Sequence, residues 1–304
     1  MNDLIIPENI YSFAPRLVSL IKQKKKMKMN LAKIKYTISH SIPALRIPKR
    51  VLYAMSYYNK KYVQILKWGL KSKENANYTY DLTEGNILYL AQTISVVTKV
   101  YSEKIIEYIN EARNNKPLKD HILSETMKSP LREYADLRVD FGRRLGWYAF
   151  ARVLKPKIIV ETGVDKGIGS VLLCSALLKN KEEGFDGFFY GTDINPEAGY
   201  LLNATYSQVG KILYGDSIST LSQFNEKIDL FINDSDHSAD YEYREYNTIK
   251  DKISENAVLL GDNSHTTDKL AIFSNETKRN FLFFREEPSE HWYPGAGIGI
   301  SFRR

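Results

Sequence analysis

The strongest constraint on what this chain can fold into is a change of grammar after Pro156. From there, short β-rich runs at 157–161, 187–192, 211–214, 228–233 and 257–261 alternate with helical patterns. Those patterns fall at about 167–180, 196–208, 217–225, 239–253 and 266–275. Strands that alternate with helices predict a parallel sheet covered on both faces. The end of the chain departs from this rule. Segments 278–285 and 297–302 are joined by a loop too short for a helix, which predicts an antiparallel pair. The fold class read from the sequence is therefore α/β: a doubly wound, mostly parallel sheet with a C-terminal antiparallel hairpin, preceded by a mostly helical N-terminal region.

Upstream of Pro156 the periodicity is helical. Residues 84–114 read as one long amphipathic helix, with Ile87, Leu90, Ala91, Ile94, Val97, Val100, Tyr101 and Ile105 at spacings of three and four. Thr83 with Glu84 starts it, and the Asn-Asn-Lys-Pro of 114–117 stops it. A second helix is predicted from about 133 to 154, ending before Pro156. The division expected is a basic segment over 1–80, a helical lid over 81–136 and a catalytic domain over 137–304.

Charge is distributed unevenly. The net charge is +7, yet residues 1–73 carry 16 Lys and Arg against Asp3 and Glu8, and the remainder carries 27 against 34. Pro43 and Pro48 are expected to interrupt any continuous helix in this segment. Three readings of it stay open: a solvated basic surface, a tether of residues 16–73 to anionic lipid headgroups, and a nucleic-acid contact, for which no named module is visible. A single cysteine, Cys174, excludes an internal disulfide framework, and its apolar surroundings predict a buried thiol. The absence of a membrane-spanning run and of a signal-type N-terminus predicts a cytoplasmic protein, peripheral to the membrane if the tether reading holds. A homo-oligomer is compatible with the sequence.

The chemistry is concentrated in three places. Val160-Glu161-Thr162-Gly163-Val164-Asp165-Lys166-Gly167-Ile168-Gly169-Ser170 follows a strand and opens a helix, the context of a glycine loop that approaches a nucleotide closely. Asp193 ends the second strand, where a carboxylate accepts hydrogen bonds from ribose hydroxyls; the alternative is a cap for a helix begun at Pro196. Asp216, followed by Ser217, ends the third strand, within reach of an adenine amino group.

Residues 140–303 resemble class I S-adenosylmethionine-dependent methyltransferases, which have a Rossmann-like sheet. The Glu-Thr-Gly-Val loop and the Asp-Leu-Phe-Ile-Asn-Asp-Ser-Asp-His run (229–237) are similar to metal-dependent O-methyltransferases, including the catechol-type and sugar-modifying enzymes. The segment 142–155 resembles the lead-in helix of bacterial members. The resemblance implies that Glu161 and Gly163 line the methionine end of the cofactor, Asp193 the ribose and Asp216 the adenine, with Gly167, Ser170 and Ser217 completing the set. It matches Asp234, Asp262 and Asn263 to the metal ligands, two carboxylates and an amide oxygen suited to Mg²⁺.

Because Mg²⁺ is a weak Lewis acid, a general base is still wanted. Asp236 and His237 are the candidates; Asp236 is preferred on the likeness to the sugar-modifying enzymes. The activity implied is Mg-assisted methylation of a hydroxyl on a sugar, glycan precursor or similar small molecule. The 291–295 loop (His-Trp-Tyr-Pro-Gly) is read either as an acceptor-stacking surface or as a plug. A non-catalytic scaffold and a metal-independent methyltransferase of RNA or protein remain the rivals. The Asn/Asp-Pro-Pro-aromatic motif of base amino-methylation is absent after the fourth strand.

Overall fold

A computed structural model of the chain describes residues 22–31, 33, 34, 36, 43–75 and 79–303. Two compact units divide at 63/64, so that the second runs from Gln64 to Arg304. In the first unit residues 22–31 are helical and helix α1 spans Pro43–Ser56; α2 (Asn59–Lys71) crosses the division. Pro43 opens α1, where its missing N–H costs nothing, but Pro48 lies inside the helix, contrary to the expected interruption.

The second unit continues with α3 (Glu84–Thr98), α4 (Ser102–Arg113), α5 (Lys116–Lys128) and α6 (Arg144–Leu154). The expected single helix over 84–114 is thus two. The β-branched Ile94, Val96, Val97 and Thr98 weaken the helix, Lys99 takes a left-handed φ of 63° that ends it, and α4 starts afresh at Ser102. The helix expected from 133 is shorter as well. A 3-10 turn (Pro130–Tyr134) and an extended stretch precede α6, and Gly142 at φ 50° breaks helical continuity just before it.

The remainder alternates as expected: β1 (Ile158–Thr162), α7 (Ile168–Glu182), β2 (Phe188–Asp193), β3 (Gly210–Tyr214), α8 (Ser217–Gln223), β4 (Ile228–Asn233), α9 (Ala239–Ile249), β5 (Ile253–Gly261), α10 (Lys269–Glu276), β6 (Asn280–Phe284) and β7 (Ile298–Phe302). One predicted helix is missing. Residues 196–208 form turns and a 3-10 turn (Tyr206–Gln208), because Gly199 and Ala204 both adopt positive φ.

The sheet order is β3-β2-β1-β4-β5-β7-β6. β1 to β5 pair in parallel, whereas β7 runs antiparallel to β5 and to β6, the hairpin read from the sequence. One face is covered by α3 to α7, with Leu90, Ile94, Ile109, Trp147 and Leu172 packed on Ile159, Leu230 and Ile300. Helices α8, α9 and α10 cover the other with Leu221, Tyr246, Ile249 and Phe273. Helices α3 to α5 therefore belong to the core of the second unit and are not a separate lid. Cys174 is fully buried, which pushes its thiol well above the ordinary range.

Candidate active site

Parallel strands bring the loops that follow β1 to β5 to one edge of the sheet, outside the carboxyl ends, where ligands of such sheets bind. A cleft of about 990 Å³ opens there, enough for a nucleoside cofactor and a small acceptor together. Glu161, Gly163, Asp193, Asp216, Ser217, Asp234, Asp236, His237, Asp262 and Asn263 all line it. Gly167 and Ser170 do not. Gly167 turns the chain into α7 at φ 93°, and Ser170 is buried behind the wall. None of residues 81–136 lines the cleft, so the expected lid does not cover it; Tyr80 does line it.

The first loop packs tightly. Gly163 holds φ 75°, and a Cβ there would overlap the Asp234 carbonyl, so no other residue fits the crossing of the β1 and β4 loops. Glu161 is 2% exposed, and burial pushes its carboxyl up to about 8 against the opposing pull of the Ser170 hydroxyl, which donates to Oε2 at 2.8 Å, and of the Arg144 charge.

Asp193 accepts from the backbone N–H of Asp165 (3.0 Å) and of Asn195 (2.8 Å). It therefore joins the β1 and β2 loops and caps no helix. The helix cap is Asp216, whose Oδ1 accepts from Ser219 N–H at 2.8 Å while Oδ2 accepts from the Tyr241 hydroxyl at 2.6 Å. Those bonds hold the Asp216 carboxyl below the ordinary carboxylate range.

Glu245 on α9, fully buried, accepts from Ser217, Asn233 and Ser235 and ties the β3 and β4 loops together. Sequence reading missed it. Its signal was an acidic residue on the same face of α9 as Tyr246, Glu242 and Ile249, all of them buried.

Asp234, Asp262 and Asn263 converge, but with arginines the sequence reading did not assign. Arg143 clasps both carboxylate oxygens of Asp262, with Nη2 at 2.6 Å from Oδ2. Its Nη1 also donates to Tyr80 Oη (2.9 Å) and to Glu286 Oε1 (3.1 Å). Arg144 Nη2 stands 3.7 Å from Asp234 Oδ2. Burial and the Asp262 charge hold the Asp234 carboxyl well above its usual range. Burial opposes ionisation of Asp262, but the Arg143 charge and hydrogen bonds win and keep it ionised.

This donor set does not fit a divalent cation. Such an ion needs open, deprotonated oxygens. Here both Asp262 oxygens are taken, Asp234 faces a guanidinium, and the Asn263 oxygen faces His237. Among the described residues no group of three His, Cys, Asp or Glu side chains is placed to hold a metal. Of the metal ligands expected from the resemblance, Asp262 accepts from Arg143, Asp234 faces Arg144 and Asn263 meets His237. One signal was available, since two consecutive arginines at the start of a helix oppose its dipole and call for another explanation.

The two base candidates differ in setting. Both are exposed, and the Ser238 N–H, which donates to Asp236 Oδ1 at 2.7 Å, lowers the basicity of Asp236. His237 Nδ1 hydrogen-bonds to Asn263 Oδ1. That oxygen can only accept, so the ring proton sits on Nδ1 and Nε2 is left basic. In the loop between β6 and β7, His291 packs on Tyr80 (5.7 Å between ring centres) and Trp292 on Trp68 (5.2 Å). Tyr293 stands 5.4 Å from Tyr80 and lines the cleft with it. The loop is thus a plug over two residues and a cleft wall at the third.

The sequence family described as a methyltransferase domain matches residues 160–264. No curated protein matches the chain. Solved structures with a similar arrangement include a Podospora anserina methyltransferase bound to S-adenosylhomocysteine (18% identity, 67% of this chain and 95% of that one, TM-score 0.45). Others are the O-methyltransferase of tomaymycin synthesis from Streptomyces achromogenes (13%, 62% and 91%, 0.44) and a putative O-methyltransferase from Klebsiella pneumoniae (13%, 71% and 99%, 0.46). The matched segment runs from β1 to the turn after β5 and holds the loops that build the cleft, so residues 160–264 are similar to a methyltransferase domain.

Proposed function

We propose that the domain methylates a hydroxyl oxygen of a small polyhydroxylated acceptor, a sugar or glycan precursor, with His237 as general base. The observation that carries this reading is the His237–Asn263 hydrogen bond inside the cleft. It gives the base a fixed tautomer and a fixed orientation, the arrangement that general-base catalysis at a weakly acidic hydroxyl requires.

S-adenosylmethionine, when bound, supplies a methyl group on a sulfonium sulfur. The buried Glu161 carboxyl would receive the ammonium of its methionine end. Arg144, whose Nε is buried and has no hydrogen-bond partner among the described residues, would receive the carboxylate. Asp193 and Asp216 supply acceptors toward the ribose and the base. His237 Nε2 would take the proton of the acceptor hydroxyl and leave its oxygen as the nucleophile toward that methyl group. Holding these groups in line is worth roughly 7–11 kcal/mol of barrier. Tyr80 and Tyr293 offer ring faces on which a sugar packs. No step is assigned to a metal, because the Asp234–Asp262–Asn263 donors are already committed to Arg143, Arg144 and His237.

The test is calorimetric titration with S-adenosylhomocysteine, followed by transfer of a labelled methyl group to a panel of sugars, catechols and amines. Label recovered as a methyl ether supports the reading. Label on nitrogen, or no binding of the nucleoside, overturns it.

A further inference from the structure

Two consecutive helices expose amphipathic faces that the methyltransferase reaction does not use. On α1, Ile47, Val51 and Met55 recur at a spacing of four and share one face with Leu52; Ile47 is 61% and Leu52 66% exposed. Lys49 and Arg50 lie on the other side, both exposed. On α2, Tyr62, Leu66 and Leu70 recur at the same spacing, with Leu66 67% and Leu70 86% exposed, and Ile65 lies beside them. Lys60, Lys67 and Lys71 occupy the opposite side. Each helix by itself therefore presents an apolar stripe to solvent with cations along its polar face.

The charge of the segment is one-signed. Between Asn9 and Lys73 there is no Asp or Glu at all, and the first acidic residue after Glu8 is Glu74. Tyrosines are frequent in the same stretch: Tyr53, Tyr57, Tyr58 and Tyr62 are all exposed. No described helix is long and apolar enough to cross a membrane.

We propose that α1 and α2 dock on an anionic lipid bilayer, each lying in the interface with its apolar stripe at the acyl boundary and its lysines and arginines among the headgroups. Three features select this occupant. The exclusively basic charge complements anionic lipid, and each Lys or Arg near such a surface adds affinity. An apolar stripe half a helix wide gains nothing from a nucleic acid, which offers phosphate and base edges, but it is removed from water by an acyl layer. Tyrosine, with an apolar ring and a polar tip, settles at the boundary between the two media. A second copy of the same chain would bring like charges together along both helices and is disfavoured for that reason.

The experiment is flotation of the full chain with vesicles of phosphatidylcholine alone, and of phosphatidylcholine with phosphatidylglycerol, at low and at high salt. The expected result is retention on the anionic vesicles, at least tenfold over the neutral ones, weakened by salt. Leu52→Asp with Leu66→Asp should abolish it, while Lys49→Gln with Lys67→Gln should weaken it several-fold. Unaltered S-adenosylhomocysteine binding by each variant shows that the catalytic unit stays folded. No retention at low salt overturns the proposal. So does retention that survives Leu52→Asp with Leu66→Asp, which would mean adsorption by charge alone. A chain that sediments as a dimer and becomes monomeric in that same double variant, without vesicle binding, would assign the stripes to a second copy.

Discussion

Arg143 and Asp262 form a two-pronged ion pair at the floor of the cleft, with Nη2 2.6 Å from Oδ2 and Nε on the other oxygen. The Arg143 side chain is 11% exposed and that of Asp262 3%, so the pair is almost wholly out of water. A guanidinium stands here beside a carboxylate that the catechol-type resemblance assigned to Mg²⁺.

The first prediction follows from that pair. S-adenosylhomocysteine affinity and turnover should be the same in EDTA and in Mg²⁺, to within about twofold. Dependence on Mg²⁺ greater than tenfold would mean that Arg143 leaves Asp262 when an ion binds. Arg143→Ala strips the counter-charge from Asp262 and leaves Glu286 without its guanidinium partner. A loss of about 3–5 kcal/mol is expected, read by urea unfolding.

Glu161 gives a pH dependence whose sign can be worked out. In the folded chain its carboxyl is pushed up to about 8 by burial, against an ordinary value near 4.5. Between these values the folded state holds a proton that the unfolded chain has released, so this group makes stability fall as pH rises from about 4.5 to about 8. Glu161→Gln removes the effect. The melting temperature of the variant relative to the parent should rise between pH 5 and pH 8.5, by a few degrees for each kcal/mol involved, roughly 2–4 °C in a domain of this size. Binding of a cationic ammonium should expel the same proton. Calorimetry in buffers of different ionisation enthalpy should show proton release near pH 7 in the parent and less in Glu161→Gln.

Arg144 separates the two ends of the cofactor. If its guanidinium holds the methionine carboxylate, Arg144→Ala should weaken S-adenosylhomocysteine by about 10- to 100-fold, the loss of a charge-assisted hydrogen bond of roughly 1.5–3 kcal/mol. Affinity for 5′-methylthioadenosine, which lacks the amino-acid end, should stay within about threefold. Equal losses for both ligands would make Arg144 a support of the cleft wall and not a ligand of the cofactor.

What could be read from the sequence was whatever is local. The five parallel strands and the closing hairpin follow from runs of Val, Ile, Leu and Phe bounded by Gly, Asp and Asn, and each carboxylate at a strand end was visible as a motif. Segments where backbone conformation overrides side-chain pattern were misread. Lys99 in the left-handed region split one helix into two, and Gly199 with Ala204 dissolved another. Long-range electrostatics was illegible. Nothing near residue 143 states that its guanidinium meets residue 262, and a resemblance built on three strand-end residues could not register that their oxygens are already claimed. The partners of Glu245 and Glu286 were invisible for the same reason, since only the fold brings them together.

The two base candidates yield the last prediction. His237 has its Nδ1 proton fixed by Asn263, whereas the Asp236 carboxylate is weakened as a base by the Ser238 N–H. His237→Gln should lower kcat by about 10²- to 10⁴-fold, the usual range for a general base, with S-adenosylhomocysteine affinity unchanged. Asp236→Asn should cost less than about tenfold. Asn263→Ala should fall between them, because it frees the ring without removing it. Raising the pH should partly restore His237→Gln, since hydroxide in solution then replaces the missing base; a rate that stays flat with pH would place His237 in acceptor binding and return the proton to Asp236.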